Sequence, residues 1–335
     1  MKTKNHELLA HFDDLSFYRQ HFMDVALWMP YVHMICRKKH LACEQVRHGL
    51  PGTFPTFIVD DHWVVKFFGR LFSGLESFRA ELHAARIVAG CAAIPTPTLV
   101  DEGVAFDQDA EWQWPYLVFE FLSGLSLGEV FDQVNRKDLI KIAEEMGSIT
   151  RALHHLPLTP GPAFPMTWES TLIEMEQLRT VSPVNHRLWQ LLPGHLVEQI
   201  EAFLVPVTDL VDVRRTPYLI NADLTGDHLL GLVENGHWRT LGLIDWGDAW
   251  LGGFYYELVA LYLYMLHADP QLLQAYLHAY MPESDLLVDF PRRALSATLL
   301  HPFNVLNGDL FNQRPELLAA RSLEELADKL YGQAF

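Results

Sequence analysis

Short apolar runs dominate the first third of the chain, and apolar residues at helical spacing dominate the rest. Phe57-Ile58-Val59, Trp63-Val64-Val65 with Phe67-Phe68, Leu99-Val100 and Tyr116 to Phe121 are rich in β-formers and bounded by turn residues, so they predict strands. Among them, Phe78, Leu82, Ala85 and Ala89 share one helical face within Glu76 to Gly90. Beyond Gly124 the period changes. Leu139, Ile142, Ala143, Met146, Ile149 and Leu153 trace an amphipathic helix from Asp138 to His155, which Pro157 stops. Helices with proline-rich joints follow over residues 159–216, then helices at Phe254 to His267, Pro270 to Tyr280, Leu295 to Leu300 and Leu323 to Tyr331. Set into this helical half is a hairpin, Leu229 to Val233 and Trp238 to Ile244, turning at Asn235-Gly236. Residues 1–45 read as a helical appendage, with Phe17, Phe22, Val25, Leu27 and Trp28 apolar and Pro30 as a break. The predicted class is α+β: the appendage, a small antiparallel β lobe with one helix over 46–122, and a larger, mainly helical lobe over 123–335.

Charge narrows the partners. The formal net charge is −17, and no basic cluster exceeds Arg37-Lys38-Lys39, which argues against nucleic acid. An acidic surface suits a cationic small molecule. Cys36, Cys43 and Cys91 are odd in number and follow no zinc or CxxC spacing, so they read as thiols in a reducing compartment. Lys2, Lys4, His6 and Glu7 leave no room for an apolar leader segment. The longest apolar run, Phe254 to Leu266, is too short to span a bilayer and contains Glu257. The expectation is a cytoplasmic protein without membrane attachment, monomeric or weakly dimeric.

Ionisable residues inside apolar segments mark the candidate chemistry. Lys66 interrupts a hydrophobic strand, where an unpaired ammonium is costly. It either snorkels from an edge strand or pairs with Glu81, fifteen residues on and flanking the apolar helix face. The loop Gly49-Leu50-Pro51-Gly52-Thr53 can bring backbone N–H groups, those of Gly52 and Thr53 among them, to phosphate oxygens, or it is only a turn. At Glu120-Phe121-Leu122-Ser123-Gly124 the chain passes from sheet to helix, and there the Glu120 C=O and Leu122 N–H can meet an adenine edge unless the segment is only a linker. If Asn235-Gly236 is a two-residue turn, register opposes His228 to Leu243 and sets Asp245 diagonal to His228 at roughly 7–8 Å. Asp223, Asp227, His228 and Asp245 then share one end of the hairpin, where crowded carboxylates call for a cation. Adjacent His154 and His155 face different sides of a helix and read as packing rather than as metal ligands.

Val65-Lys66-Phe67-Phe68-Gly69, Glu76 to Glu81, Pro95-Thr96-Pro97 and Trp114-Pro115-Tyr116-Leu117-Val118 recur in a known order. So do the Asp223 loop, Leu243-Ile244-Asp245-Trp246, Tyr256-Glu257-Leu258, Leu300-His301-Pro302-Phe303 and Leu323-Glu324-Glu325-Leu326. Over residues 49–335 the chain resembles the aminoglycoside phosphotransferase family of kinase-like enzymes. The resemblance implies a two-lobed kinase-like fold, ATP and Mg2+, and transfer of the γ-phosphate to a hydroxyl of an aminoglycoside-like cationic acceptor of the hygromycin B type. It makes Asp223 the catalytic base, Asp245 the magnesium ligand, and Lys66 with Glu81 the phosphate-binding pair. The loop departs from the family pattern twice: Asn221 stands where histidine is usual, and His228 stands where a metal-binding asparagine belongs. Either His228 binds metal through nitrogen, or Asp227 substitutes, or one metal on Asp245 suffices. Asp248 is a candidate contact for a substrate amine, or a plain surface acid; Glu257 is expected to anchor the helix beneath the loop. Competing readings are a kinase for choline, a fructosamine or a macrolide, and a catalytically silent nucleotide-binding protein.

Overall fold

The computed structural model describes residues 10–106, 112–158 and 167–334. The first nine residues, expected to begin the appendage without a leader, lie outside them, as does 159–166 of the proline-rich stretch. The chain divides into two compact units, one within Met1–Gly90, Pro95–Gly124 and Leu241–Asp248, the other within Cys91–Ile94, Leu125–Thr240 and Ala249–Phe335. No described helix is long and apolar enough to cross a membrane.

In the first unit the β-rich runs form β1 (Val46–His48), β2 (Thr56–Val59), β3 (Trp63–Phe67), β4 (Leu99–Val104) and β5 (Pro115–Glu120), antiparallel in the order β1-β2-β3-β5-β4. Lys66 lies opposite Thr56 on β2 and Leu117 on β5. Its strand is therefore interior, and the edge-strand alternative falls. Alternation along the strands separates two cores. Phe57, Val59, Val65, Phe67, Tyr116 and Val118 pack with Trp28, Val32 and Ile35 of the appendage. Phe54, Phe68, Leu117 and Phe119 pack with Leu82 and Ala85 of the helix Gly74–Val88.

The appendage contains two helices, α1 (Leu15–His21), capped by Asp14, and α2 (Val25–Lys38), capped by Asp24. Pro30 does not break α2 as its sequence suggests. Burial of Trp28, Tyr31, Val32, Ile35 and Cys36 offsets the roughly 3 kcal/mol that an internal proline costs. We number the Gly74–Val88 helix α3.

The second unit contains α4 (Leu127–Val130), α5 (Arg136–His154), α6 (Glu169–Trp189), α7 (Phe254–Ala260) and α8 (Pro270–Tyr280) among its helices. Its strands are β6 (Leu125–Ser126), β7 (Tyr218–Ile220), β8 (Leu229–Glu234), β9 (His237–Leu243, whose last residues belong to the first unit) and β10 (Trp250–Gly252), in sheets β6-β8-β9 and β10-β7. The expected turn is present: Asn235 and Gly236 take φ of 54° and 78°, the left-handed pair that an Asn-Gly hairpin requires. Asp138, buried on α5, accepts from His237 Nδ1 at 3.0 Å and from Trp238 N at 3.2 Å, tying the hairpin to that helix. Burial pushes its carboxyl up, but the bonds from Asn135, His237, Trp238 and Lys141 carry it below the ordinary carboxylate range. The helix expected over 254–267 is α-helical only to Ala260 and continues as a π turn over Leu261–Met265.

Gly147 sets how closely α5 meets α8. A Cβ at this position would lie 2.4 Å from Tyr276 O and 2.8 Å from Tyr280 N, so the helices could not keep their spacing. Gly147→Ala is expected to destabilise the protein by about 1–3 kcal/mol, the cost of overpacking. Gly194→Ala, where a Cβ meets nothing within 4 Å, is the control and should stay within about 0.5 kcal/mol in urea denaturation.

Candidate active site

Three sequence-distant residues meet in the first unit. The Lys66 ammonium lies 2.7 Å from Glu81 Oε2 and 2.9 Å from Asp245 Oδ1. It is 7% exposed and also faces the Phe54 and Phe68 rings at 5.9 and 5.5 Å. Burial pushes the ammonium down, but Asp245 and Glu81 more than offset it and hold the group above the ordinary lysine range. Lys66 therefore stays charged at any physiological pH.

Glu81 reaches the lysine because it sits on the buried side of α3, between the turns carrying Phe78 and Leu82. Asp245 arrives by a different route. The segment after β9 is held by Leu243 N–H donating to Pro95 O at 2.8 Å and by Trp246 Nε1 donating to Thr96 Oγ1 at 3.3 Å. The rigid Ile94-Pro95-Thr96-Pro97 link thus docks the segment. Asp245 itself takes φ of 60°, and its Oδ1 accepts from Gly247 N–H at 3.2 Å. Non-glycine residues rarely adopt that conformation, and here it turns the carboxylate toward Lys66.

The other predicted site residues of this unit are Gly52, Thr53, Glu120, Leu122 and Asp248, the last of them three residues after Asp245. Gly52 and Thr53 are exposed in the loop before β2; Gly52 does not take a positive φ, and a Cβ there would meet nothing within 4 Å. Its glycine is thus not demanded by the fold. Glu120 ends β5, and its N–H donates to Thr98 O at 2.9 Å; two residues on, Leu122 O accepts from Gly124 N–H at 3.0 Å. Asp248 is exposed.

In the second unit the predicted catalytic loop leaves β7 over a buried carboxylate. Glu257 on α7 accepts from Asn221 N–H at 3.0 Å and from Ala222 N–H at 2.7 Å. Asn221, wholly buried, accepts through Oδ1 from Asp223 N–H at 3.1 Å. Ala222 takes φ of 69°, so the backbone turns sharply just before Asp223. The Asp223 side chain is 44% exposed. His228 lies with Nδ1 2.6 Å from Asp223 O. A carbonyl can only accept, so Nδ1 carries the proton. Nδ1 is 3.7 Å from Asp223 Oδ2. Asn221 and His228, the two departures from the family loop, thus both order its backbone. Asp227 lies exposed, its Oδ1 where a Cβ on Gly128 would be, 2.2 Å away.

Glu257 was legible only as the one charge inside an apolar run; its two backbone bonds needed the fold. His154, read as packing, is buried behind it, with Nδ1 2.8 Å from the Tyr280 hydroxyl and its ring 4.4 Å from that of Tyr218. Burial pushes this imidazole down, so it is neutral. His155 is exposed and turns Nδ1 back to Arg151 O at 2.7 Å. Sequence reasoning missed a row of rings in the same unit: Trp250, Tyr256, His301 and the exposed Phe303, with successive centroids 5.0, 5.2 and 5.9 Å apart.

The donor chemistry bears on magnesium. Asp245 supplies a hard carboxylate oxygen, 36% exposed, as a nucleotide-borne magnesium requires. Among the described residues, no three His, Cys, Asp or Glu side chains are arranged to hold a metal by themselves. Asp245 is the residue of the first unit whose donor chemistry fits that ion.

A lysine–glutamate pair set in an antiparallel sheet and helix, with an aspartate loop in a mainly helical unit, defines an α+β protein of the kinase-like class. The model of the phosphotransferase enzyme family matches residues 45–294, and the chain belongs to that family. Among solved structures, the GDP complex of wild-type aminoglycoside 2'-phosphotransferase-IIIa is similar, with TM-score 0.62 and 18% identity, covering 90% of this chain and 99% of that one. The gentamicin complex of APH(2")-IIa has TM-score 0.58 and 16% identity, covering 88% and 97%. A thermostable mutant of APH(4)-Ia has TM-score 0.53 and 16% identity, covering 89% and 97%. At these identities the likeness establishes the fold.

Removing the ammonium leaves Glu81 as an uncompensated buried carboxylate. Lys66→Met is expected to cost about 3–5 kcal/mol of stability. Adding Glu81→Leu should return most of that loss. Guanidinium melts on both variants check this.

Proposed function

We propose that this chain transfers the γ-phosphate of ATP to a hydroxyl of a cationic, aminoglycoside-like small molecule, of the hygromycin B type by its sequence resemblance. The observation that carries the reading is Lys66, buried and held between Glu81 and Asp245. Such a fixed cation suits the α- and β-phosphates of a nucleotide, since it is charged and oriented before the ligand arrives. Backbone N–H groups at Gly52 and Thr53 are assigned to the phosphates, and the Glu120 C=O and Leu122 N–H to the adenine edge. Magnesium would supply charge neutralisation at the nucleotide phosphates; Asp245 would hold it, and the sequence resemblance gives His228 as the other proposed ligand.

Asp223 is the proposed base. Its backbone is fixed through Asn221, Glu257 and His228 while its carboxylate stays accessible, so it can accept the acceptor's hydroxyl proton as that oxygen bonds to the γ-phosphorus and the bond to the β-phosphate oxygen breaks, releasing ADP. The net charge of −17 favours a cationic acceptor, and the similar APH(2")-IIa is a gentamicin complex. Asp248 is the proposed partner for a substrate amine. The acidic chain and its thiols accord with a cytoplasmic place of action.

Asp223→Asn is expected to lower kcat by about 10²–10⁴ with little change in nucleotide KM; near-wild-type turnover would remove Asp223 as the base. Mass-spectrometric detection of phosphorylated product across hygromycin B, kanamycin, gentamicin, choline, a fructosamine and a macrolide identifies the acceptor, and product from none of them sinks the reading. Gly52→Ala should leave the melting temperature unchanged, because nothing lies near the added methyl, and should raise nucleotide KM if phosphate approaches the loop backbone.

A further inference from the structure

The appendage lies almost wholly ahead of the family-matched residues 45–294, yet one of its side chains reaches the loop assigned to phosphate. The Tyr18 hydroxyl on α1 donates to Thr53 O at 2.6 Å. Tyr18 is 2% exposed, whereas Thr53 is exposed. The ring cannot shift readily. It stacks on Phe22 at 5.4 Å and 11°, meets Phe12 and Phe72 edge-on at 5.7 and 5.6 Å, and lies against Gly69. The helix carrying it is fixed by its Asp14 cap and, next to that cap, by a 2.7 Å ion pair between Asp13 and Arg70. Burial pushes the phenol above the ordinary tyrosine range, so the hydroxyl remains a donor at every working pH.

The loop is closed at its base by Gly49 N–H donating to Thr56 O at 2.7 Å, and Thr56 Oγ1 donates to Phe54 O at 3.0 Å. Neither bond engages the Thr53–Phe54 peptide, whereas Tyr18 does, through its carbonyl. In a trans peptide the C=O and the following N–H point opposite ways. Holding the Thr53 carbonyl toward Tyr18 therefore aims the Phe54 N–H away from the appendage.

We propose that Tyr18 is a positioning residue for the nucleotide: it fixes the Gly49–Phe54 loop through the Thr53 carbonyl and so presets the backbone that meets phosphate. The inference rests on the reading of that loop as the phosphate loop. Affinity for nucleotide then depends on a segment outside the family core, and loss of the appendage loosens the loop.

Tyr18→Phe removes one hydroxyl and keeps the ring. It is expected to raise nucleotide KM, and Kd for a non-hydrolysable ATP analogue, by about three- to tenfold, the worth of one hydrogen bond. kcat and acceptor KM stay within twofold, and amide exchange at residues 50–54 of the nucleotide-free protein quickens. Phe17→Leu trims the packing of the same helix without touching Thr53; it should lower the melting temperature and leave nucleotide KM unchanged. Equal affinity and equal exchange in wild type and Tyr18→Phe overturn the inference, as does a matching loss in Phe17→Leu. Wild-type protein that binds no ATP analogue overturns the kinase reading, and this inference with it.

Discussion

An ammonium in the middle of a sheet must be paired, and the first unit is arranged around satisfying Lys66. Moving such a charge out of water costs several kcal/mol even after relaxation, more than one buried methyl-bearing side chain returns. Two carboxylates answer it, from α3 and from a segment that returns more than a hundred residues later. The pairing fixes which face of α3 is buried. It also gives the segment after β9 a reason to lie in the first unit, where Pro95 and Thr96 hold it. A charge that is held before a ligand binds need not be reorganised during a reaction, which is the property phosphate binding uses.

The second unit solves a different problem: keeping one carboxylate accessible on a rigid backbone. Glu257 accepts from the N–H groups of both Asn221 and Ala222, just past the end of β7. Ala222 and Asp245 are both non-glycine residues in left-handed conformation, each at a cost of about 1 kcal/mol or more. Such strain persists only where surrounding bonds over-determine it. Around Ala222 those bonds come from Glu257, Asn221 and His228; around Asp245 they come from Lys66 and Gly247.

The two departures from the family loop take on a structural meaning in this light. Asn221 caps its own loop by accepting from Asp223 N–H, and His228 grips the Asp223 carbonyl with a protonated Nδ1. Ordering of the loop is shared here between both residues. The appendage makes a comparable contribution in the first unit, where α2 packs on one face of the sheet and α1 sends Tyr18 to the loop before β2.

Period and turn chemistry determined much by themselves. The β-rich run around Lys66 predicted a strand, the Asn235-Gly236 pair predicted its hairpin, and a lysine inside that strand with a glutamate on the next helix offered an ion pair, because these signals arise between near neighbours in the chain. Tertiary structure decided what local signals cannot carry. It placed β3 inside the sheet, carried α2 through Pro30 by burying its aromatic face, and broke the 254–267 helix into a π turn. It brought Asp245 to Lys66 through a docking strand link and set Glu257 beneath two backbone amides. Each depends on which distant group relieves a buried charge or an unpaired N–H, and that partner is chosen by the packing of the folded chain.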